Sequence, residues 1–271
     1  MSTSTATARP FRLSNRRLAT AVVLGGLALV AWVATADWMS GMGMGDRLTV
    51  GSFGFFVGLW VVMMSAMMFP SVWPSVSMYG LVARRRPPTG ARTLVRSTSF
   101  VLGYLASWTI FGVAAFALLA LARRAGLATL SDTAFARYVI APVAIAAAAY
   151  QVVPFKQACL QHCRGPLSFF LDHWRDGTRG AFAMGARHGA YCVGCCWMLM
   201  VVLLAVGVMS ITWMAIVSLA IAVEKLAPQR WSRFASGVLT AGLVALALVA
   251  IARPSWLPGL GGGGGMTEME G

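Results

Sequence analysis

Apolar residues in this chain fall in long unbroken blocks, and polar residues gather in the intervals between them. Blocks near twenty residues match what a helix needs to cross ~30 Å of hydrocarbon while pairing its backbone groups internally. The pattern predicts helices over residues 18–36, 50–69, 97–121, 138–153, 189–209, 211–223 and 234–252. The fourth and sixth are short, so the sixth reads as part-spanning or as borrowing residues across a turn near Ser210. Pro70 and Pro74 are expected to end or kink the second helix. Strand alternation of the barrel type is absent. The expected fold is all-α, a polytopic transmembrane bundle of about seven helices.

Composition agrees with that pattern. With 58% apolar and 11% charged residues, 271 residues cannot form a soluble domain without burying nearly everything they contain. The net charge of +14 would suggest nucleic acid in a soluble chain. Here the charges sort by side, and the expected partner is the lipid bilayer, with no nucleic acid. Arg9, Arg12, Arg16 and Arg17 lie in the N-terminal arm. Arg84, Arg85, Arg86, Arg92 and Arg96 occupy the second interval, Lys156, Arg164, Arg175, Arg179 and Arg187 the fourth, and Lys225, Arg230 and Arg233 the sixth. The opposite side holds only Arg47, Arg123, Arg124, Arg137 and Arg253. Basic residues stay inside, which predicts a cytoplasmic amino terminus, an outward carboxyl terminus and seven crossings.

Three segments follow: a cytoplasmic basic arm at 1–17, one transmembrane domain at 18–252, and a flexible Gly-rich tail at 253–271. Ala34-Thr35-Ala36 after the first apolar block also fits a cleavable signal, in which case six helices remain. The fourth interval, about 35 residues long, is the longest polar stretch and reads as a loop.

All five cysteines and all three histidines fall between Cys159 and Cys196. Cys159, His162 and Cys163 follow the fourth helix, His173 comes next, and His188, Cys192, Cys195 and Cys196 open the fifth. At helical spacing Cys192, Cys195 and Cys196 share a face, with His188 one turn before and Met200 one turn after. Thiolate, imidazole and thioether suit a soft metal, with Cu(I) expected and Zn(II) the alternative. The competing reading is small cysteines packed between helices. Cys159 and Cys163 share a face if the chain stays helical beyond Pro154. A reducing cytoplasmic face favours free thiols over structural disulfides.

Met63, Met64, Met67 and Met68 stand at the same expected depth near the end of the second helix, and thioethers bind Cu(I). Taken alone, these four are read first as a pliable apolar helix face. Outside, Met39, Met42 and Met44 precede Asp46 in a Gly-rich loop suited to collecting copper in an oxidising space. Glu224 and Lys225 read as an ion pair at the membrane interface, and Tyr150, Trp197 and Trp213 as packing residues.

The segments at 150–166, 185–200 and 224–228, with Met-Met-x-x-Met-Met-x-Pro-Ser at 63–71, resemble a bacterial family of uncharacterised "predicted metal-binding integral membrane proteins". The likeness spans about residues 50–250. It implies a multi-pass protein of the bacterial inner membrane that binds metal through Cys159, Cys163, Cys192, Cys195 and Cys196. The residues and the resemblance together suggest capture, buffering or transport of a soft metal, with a metallochaperone or membrane protein as partner. The alternative is a thiol-disulfide oxidoreductase using Cys192 with Cys195 and Cys159 with Cys163. A haem site has weak support, because no C-x-x-C-H run is present. No nucleotide-binding or hydrolase motif appears, so the chain reads as a binding protein more than an enzyme.

Overall fold

The computed structural model describes residues 15–41, 52–83, 90–206 and 211–254. The arm before residue 15, the methionines at 42 and 44, Arg84, Arg85, Arg86 and the tail from 255 lie outside the described residues. The described chain is helical throughout: α1 (Asn15–Gly41), α2 (Phe53–Val82), α3 (Gly90–Arg124), α4 (Asp132–Phe135), α5 (Ala141–Gln151), α6 (Pro154–Arg164), α7 (Pro166–His173), α8 (Gly177–Val206), α9 (Ile211–Leu226) and α10 (Gln229–Ala252). A π-turn, Ala136–Ile140, joins α4 to α5.

Six segments are long and apolar enough to cross a membrane: Leu18–Trp38, Phe53–Val82, Ala91–Arg124, Thr133–Gln151, Gly177–Val206 and Gln229–Ala252. The protein is therefore a polytopic helical membrane protein. The sixth expected helix forms as α9, whose 16 residues extend only ~24 Å and fall short of a full crossing, while the seventh lies within α10. Its length matters to the site. From Cys192 to the end of α8, and again from the start of α9 to Lys225, the chain runs ~21 Å. The last turn of α9 thus returns to the depth of Cys192.

Two expectations about breaks are corrected. Pro70 and Pro74 do not end the second helix, since α2 runs through both to Val82. Serine hydroxyls add hydrogen bonds to carbonyls near Pro70, Ser71 Oγ donating to Met68 O at 2.9 Å and Ser218 Oγ to Met67 O at 3.4 Å. Likewise, the fourth interval is not a loop. Pro154 and Pro166 sit in the first turns of α6 and α7, where the missing N–H costs nothing, and α8 begins at Gly177, twelve residues before the expected start. Gly177 has φ +82, a turn that favours glycine.

Among the described residues, helices α3 and α8 make the most extensive pairing. A methyl group on Gly103 or Gly185 would overlap the backbone of the facing helix, and one on Gly189 would lie 2.7 Å from Tyr104 O. Small residues four apart let two backbones approach where lipid offers no hydrophobic drive for association. Ser107 Oγ donates to Ala186 O at 2.7 Å and Ser99 Oγ to Thr178 O at 2.9 Å, pinning the register.

Candidate metal centre

Cys192, Cys195 and Cys196 project from one face of α8, and their sulfurs all lie within 4.8 Å of one another. The Cys195 and Cys196 sulfurs are 3.2 Å apart, and Cys195 Sγ reaches the Cys192 carbonyl at 3.2 Å. All three residues are nearly sealed from solvent, at 1–2% exposure. The five cysteines are free thiols.

Three helices converge on Cys192. From α2, Met68 Sδ lies 4.0 Å from its sulfur. From α3, the Tyr104 hydroxyl stands at 2.9 Å, brought there by the glycine-lined approach to α8. From α9, Lys225 Nζ donates at 2.9 Å. Tyr104 and Lys225 were not anticipated as neighbours of the site. A lone tyrosine within a long apolar helix is the only signal the sequence carries for the first. The expected interface ion pair of Glu224 and Lys225 is corrected: both residues are buried, and Glu224 meets Lys156 at 2.8 Å. Lys156, counted above among the loop cations, is fully enclosed and also donates to Gln151.

The second cysteine pair sits on α6, which stays helical past Pro154 and places Cys159 and Cys163 on one face. Cys159 is buried against Gly194 of α8: a methyl group there would come within 2.8 Å of its sulfur. Burial pushes the Cys159 thiol up. Cys163 is half-buried, and its hydrogen bond with Cys192 pushes its thiol well above the usual range. Tyr150 donates to the Gly194 carbonyl and stacks edge-on with Trp197 at 5.4 Å, as packing residues do.

The remaining candidates separate. His188 is buried one turn before Cys192, among Phe100, Tyr104 and Phe169, and its Nδ1 has no hydrogen-bond partner. A buried ring nitrogen left open is available to a ligand. His162 is turned outward: its ring stacks on Tyr191 at 4.2 Å and its Nδ1 lies 2.9 Å from Ala158 O. His173 stacks on Phe169 at 5.2 Å. Met63, Met64 and Met67 are buried along α2, and Met200 lies two turns beyond Cys192 on α8. Of the methionines, Met68 is the one seen against a cysteine sulfur.

This donor set fits a soft metal ion. It offers three thiols with a thioether beside them in an enclosed site, and the hard oxygen beside Cys192 is the Tyr104 hydroxyl; His188 lies one turn away and is not grouped with the three sulfurs. No curated protein and no solved structure matches the chain. Residues 57–250 match the family described as PpoB2, copper chaperone, a span that holds the cysteines of α6 and α8, the methionines of α2, Tyr104 and Lys225. The chain belongs to the PpoB2 copper chaperone family.

Proposed function

We propose that this protein captures Cu(I) on the thiols of Cys192, Cys195 and Cys196 and passes it on to a partner protein. The observation that carries this reading is the buried three-thiol cluster with the Met68 thioether beside it. Soft, polarizable sulfur prefers Cu(I), while calcium and magnesium would need the oxygen ligands that this site lacks. The copper chaperone family supports the choice of metal.

Each helix has a part in this reading. The cysteines of α8 bind the ion, and Met68 supplies a weak fourth sulfur. Half-buried Cys163 stands between solvent and the cluster, so it is placed to exchange copper with a donor or acceptor. Tyr104 and the tight α3–α8 contact hold Cys192 in place. The proposal also takes in an inner-membrane location, transport across the bilayer and zinc as a second cargo.

The thiol-oxidoreductase alternative fares worse on geometry. Net oxidation or reduction needs an outside partner to reach the sulfurs, and Cys192, Cys195 and Cys196 are only 1–2% exposed, which leaves half-buried Cys163 as the point of entry. The deciding experiment is metal content by mass spectrometry of detergent-purified protein expressed with copper and zinc. Wild type should carry copper near one equivalent, and a variant with all three α8 cysteines replaced by Ser should carry almost none. Equal copper in the two proteins would refute the assignment.

A further inference from the structure

Glu224 and Lys225 set two adjacent charged side chains inside the protein, and they face different partners. The Glu224 carboxylate takes Lys156 Nζ at 2.8 and 3.0 Å and the Ser236 hydroxyl at 2.6 Å, so one carboxylate and one ammonium cancel. Around them the last turn of α9 is tied down. Arg164 donates to the carbonyls of Glu224 and Ala227 at 2.7 Å each, and Ser232 Oγ donates to Glu224 O at 2.9 Å. From this fixed turn Lys225 points to α8, where its Nζ meets Cys192 Sγ at 2.9 Å. Lys225 is 7% exposed, and among the described residues it meets no carboxylate.

A buried ammonium with no opposite charge is strongly disfavoured, and the nearest group able to supply that charge is the metal site itself. We infer that Lys225 is the fixed counter-charge of the copper site and selects complexes of net charge −1, the charge of one Cu(I) on two thiolates with the third cysteine of the cluster keeping its proton. The inference rests on the proposed copper binding and adds a rule for which ion is accepted. On capture, the bond from copper to its donor breaks as two Cu–S bonds form. Copper stays monovalent, and thiol protons leave with the donor or to solvent. One positive ion and two thiolates sum to −1, which the Lys225 ammonium cancels. A divalent ion on the same two thiolates is neutral and leaves the ammonium uncompensated. It reaches −1 only by recruiting all three cysteines. Lys225 thus acts through charge and without coordinating the metal.

The test uses the full-length protein in detergent, with anaerobic Cu(I) competition against bathocuproine disulfonate and a parallel Zn(II) competition. The variants are K225R, K225M and K225Q, the last keeping a hydrogen-bond donor without the charge. Cu(I) affinity should fall on the order of a hundredfold in K225M and K225Q and stay within about threefold in K225R, while Zn(II) affinity holds or rises. In a Cys192→Ser background, K225M should add no further loss, because the partner of the charge is gone. Cu(I) affinity in K225Q within about threefold of wild type would overturn the inference, as would equal losses for both metals. Wild-type protein that takes up no copper would overturn the proposed function and this inference with it; copper uptake that ignores residue 225 overturns this inference alone.

Discussion

Gly189→Ala tests whether the approach of α3 to α8 builds the site. A methyl group at Gly189 would lie 2.7 Å from Tyr104 O and 2.9 Å from Ser107 Cβ, where ordinary contact begins at 3.4 Å. The helices must therefore part by several tenths of an ångström, and the backbone oxygen involved belongs to Tyr104, whose hydroxyl holds Cys192 at 2.9 Å. Overpacking of this kind costs about 1–3 kcal/mol, equivalent to a drop of roughly 2–12 °C in Tm for a chain of this size. The assay is thermal unfolding in detergent read by a thiol-reactive fluorophore, since Cys192, Cys195 and Cys196 are buried until the bundle opens. The control is Gly58→Ala on α2, where nothing lies within 4 Å of the added methyl group. Tm should fall in Gly189→Ala and hold in Gly58→Ala, and copper affinity should weaken only in the first. Equal Tm values for Gly189→Ala and wild type would refute the argument that these glycines set the helix spacing.

Further outcomes follow from the same contacts. Glu224→Gln strands Lys156 without its counter-charge and should destabilise the protein by about 3–5 kcal/mol; joint replacement of Lys156 by Met and Glu224 by Leu should recover much of this in the same unfolding assay. Met68→Leu should weaken Cu(I) about tenfold in chelator competition, whereas Met63→Leu should leave it unchanged, because Met68 alone of the two is seen against Cys192. His162→Ala should leave bound copper at the wild-type level by mass spectrometry, since that ring is stacked on Tyr191 outside the cluster.

What the sequence makes legible here is what one helix can show by itself. The cysteine stripe of α8 and the shared face of Cys159 and Cys163 follow from a 3.6-residue period, and the apolar blocks announce their own crossings. The depth match between Met68 and Cys192 was also readable, because both were counted from helix ends at one membrane face. Contacts between helices were not. Lys156 looks like any loop cation until Glu224, 68 residues later, is seen beside it. Tyr104 meets Cys192 only because Gly185 and Gly189 allow α3 to approach, and no local pattern links those residues. The helices α6 and α7 were hidden for different reasons: in α6 polar residues outweigh the apolar face that packs inward, and α7 is apolar but only eight residues long, too short to stand out as a block.

The measurement that bears most directly on the central claim is X-ray absorption at the copper edge on anaerobically loaded, full-length protein. The account predicts monovalent copper with a shell of sulfur scatterers that is lost when Cys192, Cys195 and Cys196 are replaced by Ser. A shell of nitrogen and oxygen alone, or a sulfur shell that survives the triple replacement, would contradict it.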